Sequence, residues 1–203
     1  MIHLEQIQQQ VLQAKQLKII GGNSQVRIND SEDSCCLLDM SQYTGVIEYH
    51  PDELVITVKA GTTIEQLNKT LSEFEQTTPF ILQHQQHRKK ATIGGAYAIG
   101  TAALRDAVLG IKIIDGQGRI LIFGGQVMKN VAGYDVARLL VGSKGKVAVI
   151  CEISFKIIPQ NYMKSITQQS LLKTSTKINK PSVVKTKLEL GIKNIFDPLG
   201  RFI

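Results

Sequence analysis

The chain has 203 residues, of which 43% are hydrophobic and 20% charged, so it can fold into a domain and is too apolar to be a disordered chain. Its formal net charge of +7 comes mainly from residues 160–203, where 8 Lys and Arg stand against 2 Asp and Glu. No aromatic residues are interleaved with those lysines and no groove-reading motif occurs. These features favour a solvated basic tail and exclude nucleic acid as the expected partner.

The cysteines and histidines point to an intracellular protein without a metal. Cys35, Cys36 and Cys151 form no C-x-x-C pair, and adjacent cysteines rarely bridge each other, which favours a reducing compartment. His84 and His87 have no Cys or carboxylate companions, so we predict loop residues and no metal site. No apolar run reaches the roughly 18 residues of a membrane span, and no signal-peptide pattern begins the chain. We therefore predict a cytoplasmic location.

Hydrophobic spacing predicts that the chain begins with α/β structure. An apolar strand at 18–20 runs directly into the glycine turn 21–24, and further strands are predicted at 35–38 and 54–58. A first helix, before these strands, is predicted from apolar residues at helical spacing, namely Leu4, Ile7, Val11 and Leu12.

A second helix and a hairpin are predicted next. Thr62 and Glu65 have the spacing of a capping box, and the helix is expected to stop before Pro79. Two apolar strands, at 108–114 and 120–123, flank an Asp-Gly-Gln-Gly turn. Such a turn between alternating strands is a strong hairpin signal, so antiparallel pairing is predicted here.

The last third of the chain changes in character at Pro159. Asp135 is predicted to cap a short helix, and a long strand is predicted at 147–158, ended by the proline. Residues 161–187 are rich in Ser, Thr, Gln and Lys, which is typical of a weakly ordered linker. A short helical segment at 188–196 then leads to the C-terminus.

Three glycine-containing turns suggest a ligand with phosphates. They lie at 21–24, 94–95 and 142–145. A backbone can surround a pyrophosphate with N–H donors only where side chains are absent. Taken alone, the first turn is better explained as a plain strand-to-turn connection. Neither G-x-G-x-x-G after a strand nor G-x-x-x-x-G-K-[ST] is present, so a Rossmann domain or a P-loop is not predicted.

The stretch 125–135, Gly-Gln-Val-Met-Lys-Asn-Val-Ala-Gly-Tyr-Asp, resembles flavoenzymes of the vanillyl-alcohol oxidase and p-cresol methylhydroxylase (PCMH) type, above all the FAD-binding subunits of bacterial glycolate oxidases. Segments 47–57 and 61–62 follow the same pattern. The resemblance implies an α+β, PCMH-type FAD-binding fold with two α/β subdomains, the second with an antiparallel-rich sheet. It also implies three parts, which are an FAD-binding domain at 1–159, a weakly ordered linker at 160–187 and a C-terminal segment at 188–203 that returns to the FAD domain.

The same resemblance implies where the cofactor FAD would bind. Related enzymes that attach flavin covalently place a histidine in the first turn, and this turn has none, so non-covalent binding is expected. No catalytic residue is implied. Purely structural roles remain as alternatives to flavin binding. Asp135 could be a helix cap, Lys129 and Arg105 could be surface cations, and Tyr134 could be a packing residue. The implied FAD-binding residues are Gly21, Gly22, Asn23, Ser24, Thr92, Ile93, Gly94, Gly95, Gly100, Arg105, Asp106, Gly133, Tyr134, Asp135, Gly142, Gly145 and Ile150.

The function implied is that of an FAD-binding subunit of a glycolate-oxidase-like 2-hydroxy-acid dehydrogenase, serving in electron transfer. Its partners would be a catalytic flavoprotein subunit and an iron–sulfur subunit, with any membrane contact made through them. The chain departs from the family in lacking a substrate domain, in the short step from Gly100 to Arg105, and in Ala148, where relatives often have glycine. These departures leave open a non-catalytic assembly module that has lost flavin or activity. A reductase of cell-wall precursors is a third alternative, which the stretch 129–135 disfavours.

Overall fold

The structure, a computed structural model, describes residues 2–22, 35–80, 90–126, 135–162 and 183–203. Its described helices are α1 (Leu4–Gln13), α2 (Ile64–Ser72), α3 (Ile93–Ile99), α4 (Ala102–Ala107), α5 (Val136–Leu139) and α6 (Val183–Phe196). Its described strands are β1 (Leu17–Ile20), β2 (Cys36–Asp39), β3 (Val46–His50), β4 (Val55–Lys59), β5 (Gln76–Thr77), β6 (Val108–Ile114), β7 (Ile120–Gly124), β8 (Val149–Lys156) and β9 (Ile158–Pro159). None of the described helices combines the length and the apolar character that a membrane crossing requires.

The largest sheet has five strands in the order β3-β4-β8-β6-β7, and all of its neighbours are antiparallel. β8 lies at its centre and is buried except at Glu152 and Lys156, because its other residues are β-branched, aromatic or small. The predicted hairpin is present as β6 and β7, with Ile114 opposite Ile120. Helices on a mainly antiparallel sheet make this an α+β fold, which confirms the predicted fold class.

A smaller parallel sheet consists of β1 and β2, and the C-terminal residues of the chain pack beside β1. The predicted first helix is α1, whose Ile7 and Val11 are fully buried. Phe202 forms a β-bridge with Leu17 and is itself buried. Arg201 donates hydrogen bonds to carbonyls at the end of α1, including that of Val11 at 2.8 Å. Since the last four C=O groups of a helix have no partner within it, this arginine completes α1 from the opposite end of the chain.

The second helix begins one residue later than predicted. Thr63 caps α2, since its Oγ1 accepts the Gln66 N–H at 3.1 Å and Gln66 Oε1 accepts the Thr63 N–H at 2.9 Å. The predicted pair of Thr62 and Glu65 was wrong because the Thr62 hydroxyl is already used by Gly45, 3.0 Å from its N–H. The capping box is therefore real but displaced by one position.

Three further predictions need correction. The long strand of 147–158 is divided, because Ile157 N–H bonds to Leu54 O and Pro159 lies inside β9. The last helix, α6, begins at Val183 and not at 188. Helices α3 and α4 were not predicted in the glycine region. The predicted loop histidines and most of the predicted linker lie outside the described residues, and the division into domain, linker and C-terminal segment stays a prediction.

Candidate functional site

The first two glycine turns contact each other at the start of α3. A Cβ atom added at Gly21 would lie 2.7 Å from Thr92 Oγ1, and one added at Gly22 would lie 1.4 Å from the carbonyl oxygen of Lys90. Thr92 is the N-cap of α3 and is buried. The turn after β1 thus packs against the segment that begins α3, and at Gly22 any side chain would displace the backbone.

The third turn, at 142–145, contacts the other end of α3. The Gly142 N–H donates to Tyr97 O at 3.0 Å, and the Lys144 N–H donates to Ala98 O at 2.8 Å. A Cβ added at Gly100 would lie 2.8 Å from Gly142 N, and one at Gly145 would lie 3.6 Å from the Cβ of Ile19. This turn therefore reaches both α3 and β1, so the three turns form one continuous surface around α3.

The amides at the start of α3 already have partners. The N–H groups of Ile93 and Gly94 donate to Thr62 O at 2.9 Å and to Ala60 O at 2.7 Å. The Gly95 N–H donates to the Thr92 hydroxyl oxygen at 3.1 Å. These first-turn amides would otherwise be open to an anion. In this protein they hold α3 to the end of β4, so a phosphate could not bind to them without competing with protein acceptors.

Other donors around α3 have no acceptor among the described residues. Within the described part of the chain, the N–H groups of Gly21 and Gly22 donate to no protein acceptor, and neither does the Thr92 hydroxyl. Ser143 Oγ, in the third turn, is shielded from solvent and has no hydrogen-bond partner there. Buried polar groups are normally paired, and a missing partner calls for an explanation. Donors of this kind beside a glycine turn fit the pyrophosphate and hydroxyl groups of FAD.

The charges near the turns have the sign that a pyrophosphate requires. Lys90 is exposed beside Gly22, and Lys144 and Lys146 are exposed in and after the third turn. Arg105 in α4 donates from Nη2 to Val141 O at 3.2 Å, next to Gly142. The Asp106 carboxylate is exposed, and no hydrogen bond or ion pair joins it to the described residues. Four cations around one cluster of turns would attract a ligand with two negative charges.

Asp135 acts as the cap of α5. Its Oδ1 accepts the Arg138 N–H at 3.1 Å, and its Oδ2 lies 3.3 Å from Arg138 Nε. The helix-capping role, which was the alternative to flavin binding for this residue, is therefore present in the structure. The carboxylate remains exposed, so the cap leaves it accessible to a ligand.

The structure brings most of the predicted site residues together but not all of them. Ile93 and Ile150 belong to the hydrophobic core and are 0% and 6% exposed, so their side chains are held by protein. Ala148 is also buried, at 1% exposure. The predicted site residues that lie outside the described part of the chain are Asn23, Ser24, Gly133 and Tyr134.

The sequence analysis missed Tyr97 and Ser143. Tyr97 is fully buried in α3, and its hydroxyl donates to the carbonyl of Ala137 in α5. Burial, with a smaller contribution from Asp135, raises the pKa of Tyr97 far above its usual range, so it stays a proton donor. A tyrosine two residues after a glycine pair carries no signal of such a contact. The position of Ser143 between two turn glycines was a signal that could have been used.

Comparison with known proteins identifies the kind of domain. Residues 3–124 match the family described as "FAD binding domain". The chain is 40% identical over 165 residues to "Glycolate oxidase subunit GlcE" of Escherichia coli (strain K12), which covers 77% of this chain and 46% of that protein. It is 30% identical over 135 residues to "Glycolate oxidase subunit GlcD" of Bacillus subtilis (strain 168), which covers 63% of this chain and 27% of that protein. The chain thus spans less than half the length of these relatives.

A solved structure supports the fold. The chain is similar to alkyldihydroxyacetonephosphate synthase with a TM-score of 0.61 and 18% sequence identity, over 76% of this chain and 30% of that one. At this identity the likeness concerns the fold alone. Together with the family match it confirms the predicted FAD-binding fold and FAD as the predicted cofactor.

Proposed function

This chain belongs to the FAD binding domain family, and from that premise we propose that it is an FAD-binding subunit of a glycolate-oxidase-like 2-hydroxy-acid dehydrogenase complex. The similarity to two proteins named as glycolate oxidase subunits supports the substrate class. The observation that carries the proposal is the gathering of three glycine turns around α3, with amides at Gly21 and Gly22 that donate to no acceptor among the described residues.

Residues of the first two turns would hold the pyrophosphate. The amides of Gly21 and Gly22 and the hydroxyl of Thr92 supply donors, and Lys90 supplies positive charge beside them. Gly95, Gly142 and Gly145 keep side chains away from the same surface. When bound, FAD would supply a two-electron acceptor for hydride. The first turn has no histidine, so the binding proposed is non-covalent.

The chemistry on the substrate requires groups that we do not assign to this chain. Oxidation of a 2-hydroxy acid needs a base for the hydroxyl proton and a cation for the carboxylate. We propose that both come from partner subunits, a catalytic flavoprotein subunit and an iron–sulfur subunit, in the cytoplasm. Electron transfer within that complex would then be the role of this chain.

A second candidate function is a non-catalytic assembly module that no longer holds flavin. Two observations favour it. The first-turn amides of α3 are taken by Ala60, Thr62 and Thr92, and Ala148, which departs from the pattern of the family that the sequence resembles, is buried. Such a module would keep the fold for docking to partner subunits.

A titration of the purified full chain with FAD separates the two. Tight, stoichiometric binding with a perturbed flavin absorption spectrum supports the first function, and a folded protein that leaves the FAD spectrum unchanged supports the second. Addition of glycolate or D-lactate, with and without co-purified partner subunits, then tests electron transfer. Reduction of the flavin by the isolated chain would show that it carries the substrate groups itself, contrary to the proposal.

A further inference from the structure

Tyr97 joins the two sides of the proposed FAD site through a single buried contact. It lies in the middle of α3, two residues after Gly95, and is fully buried. Its hydroxyl donates a hydrogen bond to the carbonyl oxygen of Ala137, forty residues further along the chain in α5. Ala137 is 1% exposed, so neither partner of this hydrogen bond is open to water.

The carbonyl of Ala137 depends on that hydroxyl. α5 has only four residues, and a helix of that length is not stable without tertiary contacts. Val141 N–H, which would close the next helical hydrogen bond onto Ala137, bonds to Arg138 O instead. In the described residues no backbone N–H donates to Ala137 O. The phenol of Tyr97 therefore satisfies a buried carbonyl that the helix itself leaves open.

The main chain of the same tyrosine holds the third turn. Tyr97 O accepts the Gly142 N–H at 3.0 Å, and its neighbour Ala98 accepts the Lys144 N–H at 2.8 Å. Tyr97 thus contacts α5 through its side chain and the third turn through its backbone. The first wall of the site, with Gly95, and the second wall, with Asp135 and Gly142, are fixed relative to each other through this residue.

We propose that Tyr97 is a positioning residue for FAD, which sets the separation of the two walls without touching the cofactor. The proposal rests on the proposed function. Removing the phenolic oxygen would leave Ala137 O buried and unpaired, so α5 would have to shift to reach another donor. Because Asp135 is the N-cap of this four-residue helix, two residues before Ala137, a shift of α5 moves the second wall.

The test is Tyr97→Phe in the full chain, measured against a matched control. Tyr43→Phe removes another buried phenol, 4% exposed, whose hydroxyl lies 3.1 Å from Glu152 Oε1 on the five-stranded sheet. Both variants should unfold at a lower denaturant concentration than the wild type. Only Tyr97→Phe should weaken FAD binding, by about tenfold in the dissociation constant, with an altered flavin absorption spectrum.

The outcomes separate this inference from the proposed function. A wild-type chain that does not bind FAD overturns both. A wild type that binds, with a Tyr97→Phe variant that binds equally well, overturns only the inference, as does an equal loss of affinity in Tyr43→Phe. Should Tyr97→Phe fail to fold, hydrogen exchange on the wild type decides. FAD should slow exchange of the Gly142 and Lys144 amides, and unchanged rates would overturn the proposal.

Discussion

The five-stranded sheet satisfies its polar groups internally, whereas the turns around α3 do not. On the sheet, the hydroxyls of Thr57 and Ser154 are 2.8 Å apart, and Glu152 accepts from Tyr43 and pairs with Lys112 at 2.6 Å. Around α3, the Gly21 and Gly22 amides and the Ser143 hydroxyl lack partners within the described chain. The sheet is complete as a scaffold, and the turn region has the donors of a site that a ligand completes.

Backbone strain occurs in both regions, since Leu54 in the β3–β4 turn of the sheet has a φ of 57°. Lys144 adopts φ of 57° between Gly142 and Gly145, which have φ of 91° and 75°. A positive φ is unfavourable for a lysine, and strain of this kind persists where the surroundings enforce it. Here the Lys144 N–H is held by Ala98 in α3. Stability should therefore respond to changes in the sheet, and FAD affinity to changes in the turns.

The largest effect is expected from Phe155→Ala in β8. Phe155 is fully buried and its ring lies 5.6 Å from that of Phe80. Removing a buried aromatic side chain costs about 3–5 kcal/mol in the free energy of unfolding. Urea unfolding with and without FAD measures the free energy of unfolding and the extra stability that bound FAD confers. The extra stability conferred by saturating FAD should equal that of the wild type, and its loss in a folded variant would contradict the division between scaffold and site.

Gly22→Ala should act on the site. An added methyl would meet the backbone oxygen of Lys90, which cannot move without displacing the start of α3. If overpacking at Gly22 costs about 2–3 kcal/mol in the conformation that binds FAD, the affinity for FAD should fall roughly hundredfold. The matched control is Gly191→Ala in α6, where an added Cβ meets nothing within 4 Å and helix propensity improves. Titration of both variants with FAD tests the prediction, and wild-type affinity in Gly22→Ala would contradict it.

Alkaline pH should act through the sheet. Burial first, and then Glu152, raises the pKa of the Cys151 thiol from 9.0 to about 12. A raised pKa gives stability that is complete below pH 9 and is lost as the pH rises toward 12. Between pH 8 and 10 the wild type should lose roughly 1 kcal/mol more than Cys151→Ala, which lacks the thiol. Unfolding free energies at the two pH values check this, and equal losses in the two proteins would count against it.

Local sequence was sufficient for much of the fold and for the turns. The β6–β7 hairpin followed from a turn between two apolar strands, and the turns at Gly21 and Gly142 followed from glycines placed after a predicted strand and a predicted helix. Both signals depend on neighbours in the sequence. For the same reason the capping box of α2 was found only to within one residue, since the competing partner of Thr62 is Gly45, seventeen residues away.

Long-range contacts account for what the sequence did not predict. Gly94 and Gly95 disfavour a helix by about 1 kcal/mol each, so α3 was not expected. An added Cβ at Gly94 would lie 2.8 Å from the Cβ of Ala60, and only glycine lets the helix approach β4 so closely. Packing therefore overrides propensity at this position. The contact of Tyr97 with Ala137 spans forty residues and has no local pattern.

The smallest effect is expected from Ser143→Ala. This substitution should lower FAD affinity without lowering the stability of the FAD-free chain, which distinguishes a residue of the site from one of the scaffold. Ser143→Ala removes a hydroxyl that has no partner in the described chain, so the free energy of unfolding without FAD should stay the same or rise by up to about 1 kcal/mol. FAD affinity should fall about fivefold if the cofactor is the missing partner. Ser154→Ala is the control, because the Ser154 hydroxyl is paired with Thr57. Its removal should cost about 1 kcal/mol of stability and leave FAD affinity unchanged. A Ser143→Ala variant that loses stability without FAD would mean that the hydroxyl supports the turn itself, and the contrast between the two regions would not extend to this residue.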